Sequence, residues 1–492
     1  TTGVNNTLIG GLAGDAITTG GSNTAVGQAS LTTLTTASFN TAMGLNSGLV
    51  LTTGADNTLI GVSSGASLTT GTLNVAVGRN ALASGAATNK NVAIGNNTLQ
   101  SVSASSSVDS FNTAVGFSAG GAVTTGVENT LIGGLAGDAL TDADNNVAVG
   151  DFALGADTLG SRSTALGSRA LENQNFTTAT STYNTAVGFH AGNDITTGVQ
   201  NTIVGGLAGD ALTDADYNVA VGYACLTGDT KGSRTVAMGY GALSTQNFTS
   251  VTATYNVGIG FQAGNAVTTG INNTLIGGLA GDNITSGDSN IIIGSGIDAQ
   301  SATADGQINI GGIFTHDGTD TIIDSPGDIN LDAGGSDILL KVGGTTFGSL
   351  RENGSNFRIK SEVSDKDMLF MGNDGGSEIT ALTLDMSAAG AATFNNNVTA
   401  YSDERLKENI VTVSDALEKV TAMRGVHYSR IDTGRSHTGV VAQEIQKIAP
   451  ELVLTADDEI GTLSVDYGNI TGYLIEAIKD LKAEIEELKA AK

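Results

Sequence analysis

Apolar and polar positions alternate over very short distances in the first 311 residues of the chain. A five-residue phrase recurs there: usually Asn, then Thr or Val, a small or apolar residue, an aliphatic residue or Met, and Gly. The phrase starts at residues 6, 23, 40, 57, 74, 91, 112, 129, 146, 163, 184, 201, 218, 235, 256, 273, 290 and, in degenerate form, 307.

The spacing of the phrase is 17 residues except for three intervals of 21, which begin at residues 91, 163 and 235 and are themselves 72 apart. Each repeat offers two short apolar segments separated by Gly. Such segments are too short for a helix pair, so the pattern predicts a mainly β fold, with a parallel β-solenoid or β-roll shaft whose coils hold two short strands and two turns. At about 4.8 Å per coil, eighteen coils make a rod on the order of 90 Å long.

Two positions of the phrase have expected structural roles. The final Gly suits a turn with positive φ. The initial Asn can hydrogen-bond its own backbone or stack in a ladder on the next coil. From about residue 312 the period is lost, and short alternating segments predict an irregular or interwoven β region over residues 312–401.

The amino-acid composition excludes several classes of protein. With 69 Gly but only 2 Pro the chain is not collagen, and 40% apolar content argues against wholesale disorder. A net charge of -27 opposes nucleic-acid binding. The sequence contains neither a long apolar run nor a signal segment, so no membrane span is expected. Cys225 cannot form an internal disulfide, and the start within a repeat suggests that N-terminal residues are missing.

A different domain is predicted from residue 402, because 11 of the 22 Lys and Arg lie in residues 402–492. Four motifs occupy it: residues 402–410 (SDERLKENI), 439–445 (GVVAQEI), 450–453 (PELV) and 464–467 (SVDY). Together they closely resemble the small α+β intramolecular chaperone at the C-terminus of endosialidase-type tailspikes and related phage fibres. The repeat phrase resembles, less specifically, the head repeats of trimeric bacterial adhesins.

The chaperone resemblance implies a domain that trimerises, templates folding of the preceding β structure and then cuts itself off with a Ser-Lys dyad. The matching positions are Ser402 as nucleophile and Lys407 as base, with the bond between Tyr401 and Ser402 cut. A serine needs such a base to become nucleophilic. Spacing alone favours another interpretation, in which Ser402 or Asp403 caps a helix and Lys407 is solvated. His427 and His437 are interpreted as structural.

The last segment, residues 470–491, predicts a coiled-coil helix. Its apolar positions alternate spacings of four and three residues: Leu474, Ile478, Leu481, Ile485 and Leu488. Ile at the a positions and Leu at the d positions favour a parallel dimer, whereas the family implies a trimer. A homotrimer is expected, because two heptads do not outweigh the long shaft.

The predicted function is therefore a structural and receptor-binding phage tail fibre or tailspike, located extracellularly on the virion tail. Its expected partners are itself, other tail proteins and a host receptor, which could be a glycan; no cofactor is expected. The alternatives are a glycan depolymerase, a bacterial surface adhesin and an ice-binding solenoid suggested by Thr pairs. The only enzymatic activity expected is a single self-cleavage.

We expect receptor contacts in the 21-residue intervals, because their four extra residues should bulge from the shaft. The bulges carry scarce aromatic residues, Phe176, Tyr183, Phe248 and Tyr255, which could stack on sugars. The alternative is that these rings pack under the loops or at the trimer seam. Acidic clusters such as Asp138, Asp142 and Asp144 could hold calcium, since oxygen-rich turns suit that ion. Turn chemistry alone also explains them, so no metal site is predicted.

Overall fold

A computed structural model describes residues 2–492 except 104–106, 318, 325–328, 330, 332–336, 354–355, 388–390, 399–401, 432–433 and 457–459. The chain divides into two compact units, Thr1–Asp328 and Ile329–Lys492.

The first unit is the predicted parallel β-solenoid. Each coil contributes one three-residue strand, which pairs in parallel with the equivalent strand of the next coil, as Thr130 pairs with Val147. The strands are Thr7–Ile9, Thr24–Val26, Thr41–Met43, Thr58–Ile60, Val75–Val77, Val92–Ile94, Thr113–Val115, Thr130–Ile132, Val147–Val149, Thr164–Leu166, Thr185–Val187, Thr202–Val204, Val219–Val221, Val236–Met238, Val257–Ile259, Thr274–Ile276, Ile291–Ile293 and Ile308–Ile310.

The second strand predicted in each coil is wrong. The segment after the phrase folds as a series of turns, because it contains residues in the left-handed region, such as Leu135 at φ 55 and Gly137 at φ 56. Two positive φ values within three residues are incompatible with an extended strand. Other apolar residues of this segment, such as Ala136 and Leu140, still point inward, so the coil keeps a narrow core of buried Ala, Leu, Ile and Val side chains.

A buried ladder of Asn side chains runs along the shaft, as expected for the first position of the phrase. The Oδ1 of Asn129 accepts the backbone N–H of Asn146 at 2.9 Å, and its Nδ2 donates to the carbonyl oxygen of Ala143 at 2.8 Å. Because a buried polar group without a partner costs about 1–3 kcal/mol, each amide is stabilised only when its neighbours are in register.

The Gly that ends each phrase has the expected positive φ. Gly205, for example, has φ +138, and a Cβ there would overlap the carbonyl oxygen of Gly222 on the next coil. Close approach between coils and backbone conformation therefore both require Gly at this position.

Each 21-residue interval adds a two-stranded parallel ladder beside the main sheet. The three strand pairs are Thr88–Asn89 with Val108–Asp109, Gly160–Ser161 with Thr180–Ser181, and Gly232–Ser233 with Thr252–Ala253.

At the second interval Ser163 replaces the ladder Asn, and a buried glutamine from the inserted segment takes over its hydrogen bonds. Gln174 Nε2 donates to Ser163 Oγ at 2.8 Å, and Gln174 Oε1 accepts from Asn184 Nδ2 at 2.8 Å. Gln246 makes the equivalent bonds with Thr235 and Asn256 at the third interval. The ladder is thereby continued across a change in coil length.

The regular ladder ends at Ile310 and is followed in the first unit by antiparallel strands Phe314–His316 and Thr321–Ile323. The second unit begins with two three-stranded antiparallel sheets. One contains Asp337–Val342, Thr345–Asn353 and Asn356–Ser361, and the other contains Met368–Asp374, Ser377–Asp385 and Ala391–Phe394. Among the described residues of 337–398 no apolar side chain is buried within the chain.

The C-terminal part of the second unit is α+β. Its helices are α1 (Ala416–Ala422), α2 (Ala442–Ile448) and α3 (Ile470–Ala490), with 3-10 helices at Glu404–Leu406 and Pro450–Leu452. Its hairpins pair Val426–Ser429 with Ser436–Gly439 and Val453–Thr455 with Leu463–Val465. A small core joins them, formed by Ala416, Ile445, Ala449, Leu452, Tyr473 and Ala477.

Candidate functional site

Ser402 and Lys407 lie together at the start of the C-terminal α+β region. The Nζ of Lys407 donates a hydrogen bond to the Oγ of Ser402 at 2.7 Å. The 3-10 helix Glu404–Leu406 lies between them, and Lys407 follows it in an extended conformation. This tight turn supplies the bend that a five-residue spacing requires. Both side chains are exposed within the single chain.

Asp403 holds this turn in place. Its Oδ1 accepts the backbone N–H of Arg405 at 2.9 Å, which is an N-cap interaction. The Arg405 guanidinium also pairs with the Asp403 carboxylate, and these hydrogen bonds lower the pKa of Asp403 below its ordinary value. Asp403 therefore caps the helix, as the alternative interpretation expected, while Ser402 and Lys407 remain in contact.

The arrangement has the two components of a serine nucleophile with a lysine base. A neutral amine within hydrogen-bond reach can accept the hydroxyl proton as the oxygen attacks a carbonyl carbon. Tyr401, predicted to supply that carbonyl, lies outside the described residues.

The two histidines of this region have ordinary packing contacts within one hairpin. His427 Nδ1 lies 2.9 Å from Thr438 Oγ1, and the His437 ring stacks on Tyr428 with centroids 5.8 Å apart. These contacts are compatible with the structural roles predicted for both.

Helix α3 has two faces. Tyr473 and Ala477 are buried in the core, and α3 packs against α1. The predicted coiled-coil residues point away from this core and are exposed: Leu474, Ile478, Leu481, Ile485 and Leu488. The apolar stripe therefore has no partner within the described part of the chain.

The four candidate receptor residues differ in exposure. Phe176 and Phe248 are only 6% and 7% exposed, whereas Tyr183 and Tyr255 are 56% and 55% exposed. The backbone N–H of Phe176 donates to buried Asp157, which draws this part of the inserted segment against the shaft. The burial of the two Phe rings favours the packing alternative for them, whereas the two Tyr rings remain accessible.

Each exposed ring is accompanied by a cation, a pairing that was not predicted from the sequence. The Arg162 guanidinium lies 5.9 Å from the Tyr183 ring centroid, and Arg234 lies 5.8 Å from that of Tyr255. Lys90 is placed similarly over Phe111, at 4.9 Å. The sequence does contain a pattern that could have indicated these pairs, because both the cations and the rings recur at 72-residue intervals.

The acidic clusters contribute to contacts between coils. Asp144 Oδ1 accepts the backbone N–H of Val127 at 2.8 Å, and Asp142 Oδ1 accepts from Thr125 Oγ1 at 2.5 Å. Within the described ranges, no group of three or more His, Cys, Asp or Glu residues is placed to hold a metal ion. No helix in this part of the chain is long and apolar enough to cross a membrane.

Comparison with known proteins is informative for the C-terminal part. Residues 402–454 match the family described as chaperone of endosialidase. The chain is 35% identical over 101 residues to the long tail fiber protein Gp37 of Enterobacteria phage K3 and, equally, to that of phage T2. Each match covers 19% of this chain and 8% of the relative. The Gp37 protein of phage M1 is 31% identical over 102 residues, which cover 19% of this chain and 41% of the relative.

The chain thus spans less than half the length of these relatives. The resemblance of the C-terminal region to a tail-fibre chaperone, predicted from its motifs, is confirmed.

Proposed function

We propose that this chain is the distal part of a phage tail fibre, in which a homotrimeric β shaft bears host-binding surfaces and the C-terminal region templates its folding. The main support for the proposal is that one chain contains both a long parallel β-solenoid and a segment that matches the chaperone of endosialidase. A rod places a binding surface at a distance from the particle, and a chaperone is useful where the structure to be folded is slow to form. Long-range β pairing is slow in this sense.

Exposed apolar surface supports the homotrimer. The two antiparallel sheets between residues 337 and 398 have apolar strands but bury none of their described apolar side chains within the chain. Phe357 and Val342, for example, are both largely exposed. A sheet is stable only when one face is covered, so other copies of the chain are the natural source of the missing core. The exposed stripe of α3 needs a partner for the same reason.

Self-cleavage is the proposed role of Ser402 and Lys407. Lys407 takes the hydroxyl proton of Ser402 while the Oγ attacks the carbonyl carbon of Tyr401. The bond between that carbon and the Ser402 nitrogen then breaks, the nitrogen takes up a proton, and an ester joins Tyr401 to the Ser402 oxygen. Water hydrolyses the ester and frees residues 402–492 from the shaft. The 2.7 Å contact between the two side chains supports this assignment.

Chaperone function can be tested by comparing one polypeptide made in two ways. Residues 1–401 are produced either by expression of the full chain, followed by cleavage, or by expression from a gene that ends at residue 401. The proposal predicts a soluble trimer in light scattering from the first route and aggregated or monomeric protein from the second. Full chain carrying Ser402→Ala is the control and should form an uncut trimer. Identical trimers from both routes would contradict a templating role.

A further inference from the structure

Two rows of side chains border the strand ladder of the shaft. The leading rim consists of the residue just before each phrase, and the trailing rim of the residue just after each phrase Gly. From residue 111 onward the leading rim is Phe111, Glu128, Asn145, Arg162, Tyr183, Gln200, Tyr217, Arg234, Tyr255, Asn272 and Ser289. The trailing rim is Phe117, Gly134, Asp151, Ser168, Phe189, Gly206, Tyr223, Tyr240, Phe261, Gly278 and Ser295.

Aromatic residues on the leading rim are matched by aromatic residues on the trailing rim from residue 111 onward, although Arg162 shares its coil with Ser168 and Arg234 shares its coil with Tyr240. Every coil in this stretch with an aromatic residue on the leading rim has one on the trailing rim as well: Phe111 with Phe117, Tyr183 with Phe189, Tyr217 with Tyr223, and Tyr255 with Phe261. The coils with Gly on the trailing rim have a polar leading residue: Glu128, Gln200 and Asn272. Repetition of the 72-residue unit alone does not explain this, because Tyr217 and Tyr223 fall outside the series formed by the other three aromatic pairs.

The paired rings are not placed to touch within one chain. Five residues separate Tyr183 from Phe189, and among them the strand Thr185–Val187 alone spans about 10 Å at about 3.3 Å per residue. The ring contacts between rim residues in this stretch run along the trailing rim, as between Tyr223 and Tyr240 with centroids 5.6 Å apart. All eight paired rings are also exposed. A size relationship between positions that do not touch indicates contact with another molecule.

The face between the rims is uncharged and mostly apolar over the whole shaft, with Thr at the first position of ten of the eighteen strands. The third residue of each strand is aliphatic or Met in all eighteen coils, and the first is Thr, Val or Ile, so no charge interrupts the face. Eighteen strands at about 4.8 Å, each about 10 Å long, present roughly 800 Å² before side-chain relief. That equals the area per partner, about 800 Å², of a stable protein interface. Monomeric proteins rarely expose contiguous apolar patches of this size.

We infer that the strand faces of three copies turn toward a common three-fold axis, and that the leading rim of each copy packs against the trailing rim of the next at the same coil level. This inference rests on the homotrimer proposed above and assigns its contacts. Three-fold symmetry makes such interfaces heterologous, so each seam joins two different patches of one surface. The matched rims are those two patches.

This arrangement also sets the axial register of the chains. In register, each aromatic coil level brings together six rings, two at each of three seams. If one chain slipped by one coil, its two seams would be mismatched in opposite directions. Tyr183 would face Gly206 at one seam, which leaves a gap, and Gln200 would face Phe189 at the other, which places a polar group against a ring. The aromatic levels at residues 111–117, 183–189 and 255–261 are four coils apart, so these three levels match one another again only after a slip of about 19 Å. The level at residues 217–223 lies midway between the last two, so a slip of two coils restores only part of the match.

Cross-linking between rims tests the inference. In a Cys225→Ala background, Tyr183→Cys and Phe189→Cys are combined in the full chain and treated with a short bis-maleimide, because contacting rings place their backbones beyond ordinary disulfide reach. A covalent trimer on a denaturing gel is expected. Each single variant should give no linked trimer, and neither should Tyr183→Cys combined with Phe261→Cys, since these positions lie four coils apart.

Light scattering of the same samples separates the possible failures. A trimer without cross-links would overturn the rim assignment while leaving the proposed fibre intact. A monomeric parent protein would instead overturn the proposed assembly. If Tyr183→Ala with Tyr255→Ala abolished attachment to host cells without changing the trimer or its melting temperature, the exposed rings would be receptor contacts and the inference would be wrong.

Discussion

Gln174 Oε1 accepts a hydrogen bond from Nδ2 of Asn184 at 2.8 Å, and through this bond a buried amide ladder crosses a change in coil length. Gln174→Ala should therefore destabilise the shaft by about 1–3 kcal/mol, because it leaves buried partners unsatisfied. Asn175→Ala is the matched control, since Asn175 is the next residue and is exposed. Thermal unfolding followed by circular dichroism checks the difference, and equal melting temperatures would contradict the ladder's role.

The turn that ends each strand gives a second matched pair. Gly205→Ala should destabilise the shaft by at least about 1–3 kcal/mol, because Gly205 has φ +138 and a Cβ there meets the next coil's backbone. Gly206→Ala should destabilise the shaft much less, since its backbone is unstrained and its nearest neighbour within the chain would be the Tyr223 ring at 3.5 Å. Urea unfolding of the two variants measures the contrast.

Buried Asp157 predicts a pH dependence of stability. Burial raises the pKa of Asp157 above its ordinary value in the folded chain, so the folded state binds its proton more tightly than the unfolded state does. Its contribution to the free energy of unfolding should thus fall as pH rises from the ordinary Asp pKa through the raised one. Melting temperatures of the wild type and Asp157→Asn across this range should differ least at the acidic end. A difference independent of pH would contradict the assignment.

The cap on the 3-10 helix predicts a graded effect on self-cleavage. Asp403→Ala removes the acceptor for the Arg405 N–H and should slow cleavage, because the turn that brings Lys407 to Ser402 is less populated. Asp403→Asn should retain most of the rate, since Asn caps helices about as well as Asp. The fraction cut with time on denaturing gels gives the rates. Equal loss in both variants would indicate a need for the charge rather than the cap.

The dyad itself is tested by Ser402→Ala and Lys407→Ala, each of which should leave a full-length chain. Lys482→Ala is the control, because Lys482 is an exposed lysine of α3. Efficient cutting in either dyad variant would refute the assignment.

The coils could be predicted from the sequence because each repeat specifies its own fold locally. Gly205 ends a strand and Asn129 joins the amide ladder because of the residue type at that position of the phrase. It could not predict how the ladder crosses Ser163, because Gln174 fills that place from eleven residues away. The second strand of each coil was predicted wrongly, since apolar content alone does not reveal a left-handed residue such as Leu135.

At the candidate site, the family resemblance pointed to Ser402 and Lys407 together, whereas their spacing did not, and their role in cleavage stays a prediction. Five residues do not bring two side chains together on a regular helix, and the contact between Ser402 and Lys407 depends on a short 3-10 turn. The burial of Phe176 was equally beyond a local pattern, because it depends on how the inserted segment folds back against Asp157.

The mass of the purified protein measured by native mass spectrometry tests the central claim most directly, because it reports assembly and cleavage together. A self-cleaving homotrimeric fibre predicts a particle of three shafts, each ending at Tyr401, with residues 402–492 released. A single uncut chain of 492 residues would contradict both the trimer and the cleavage.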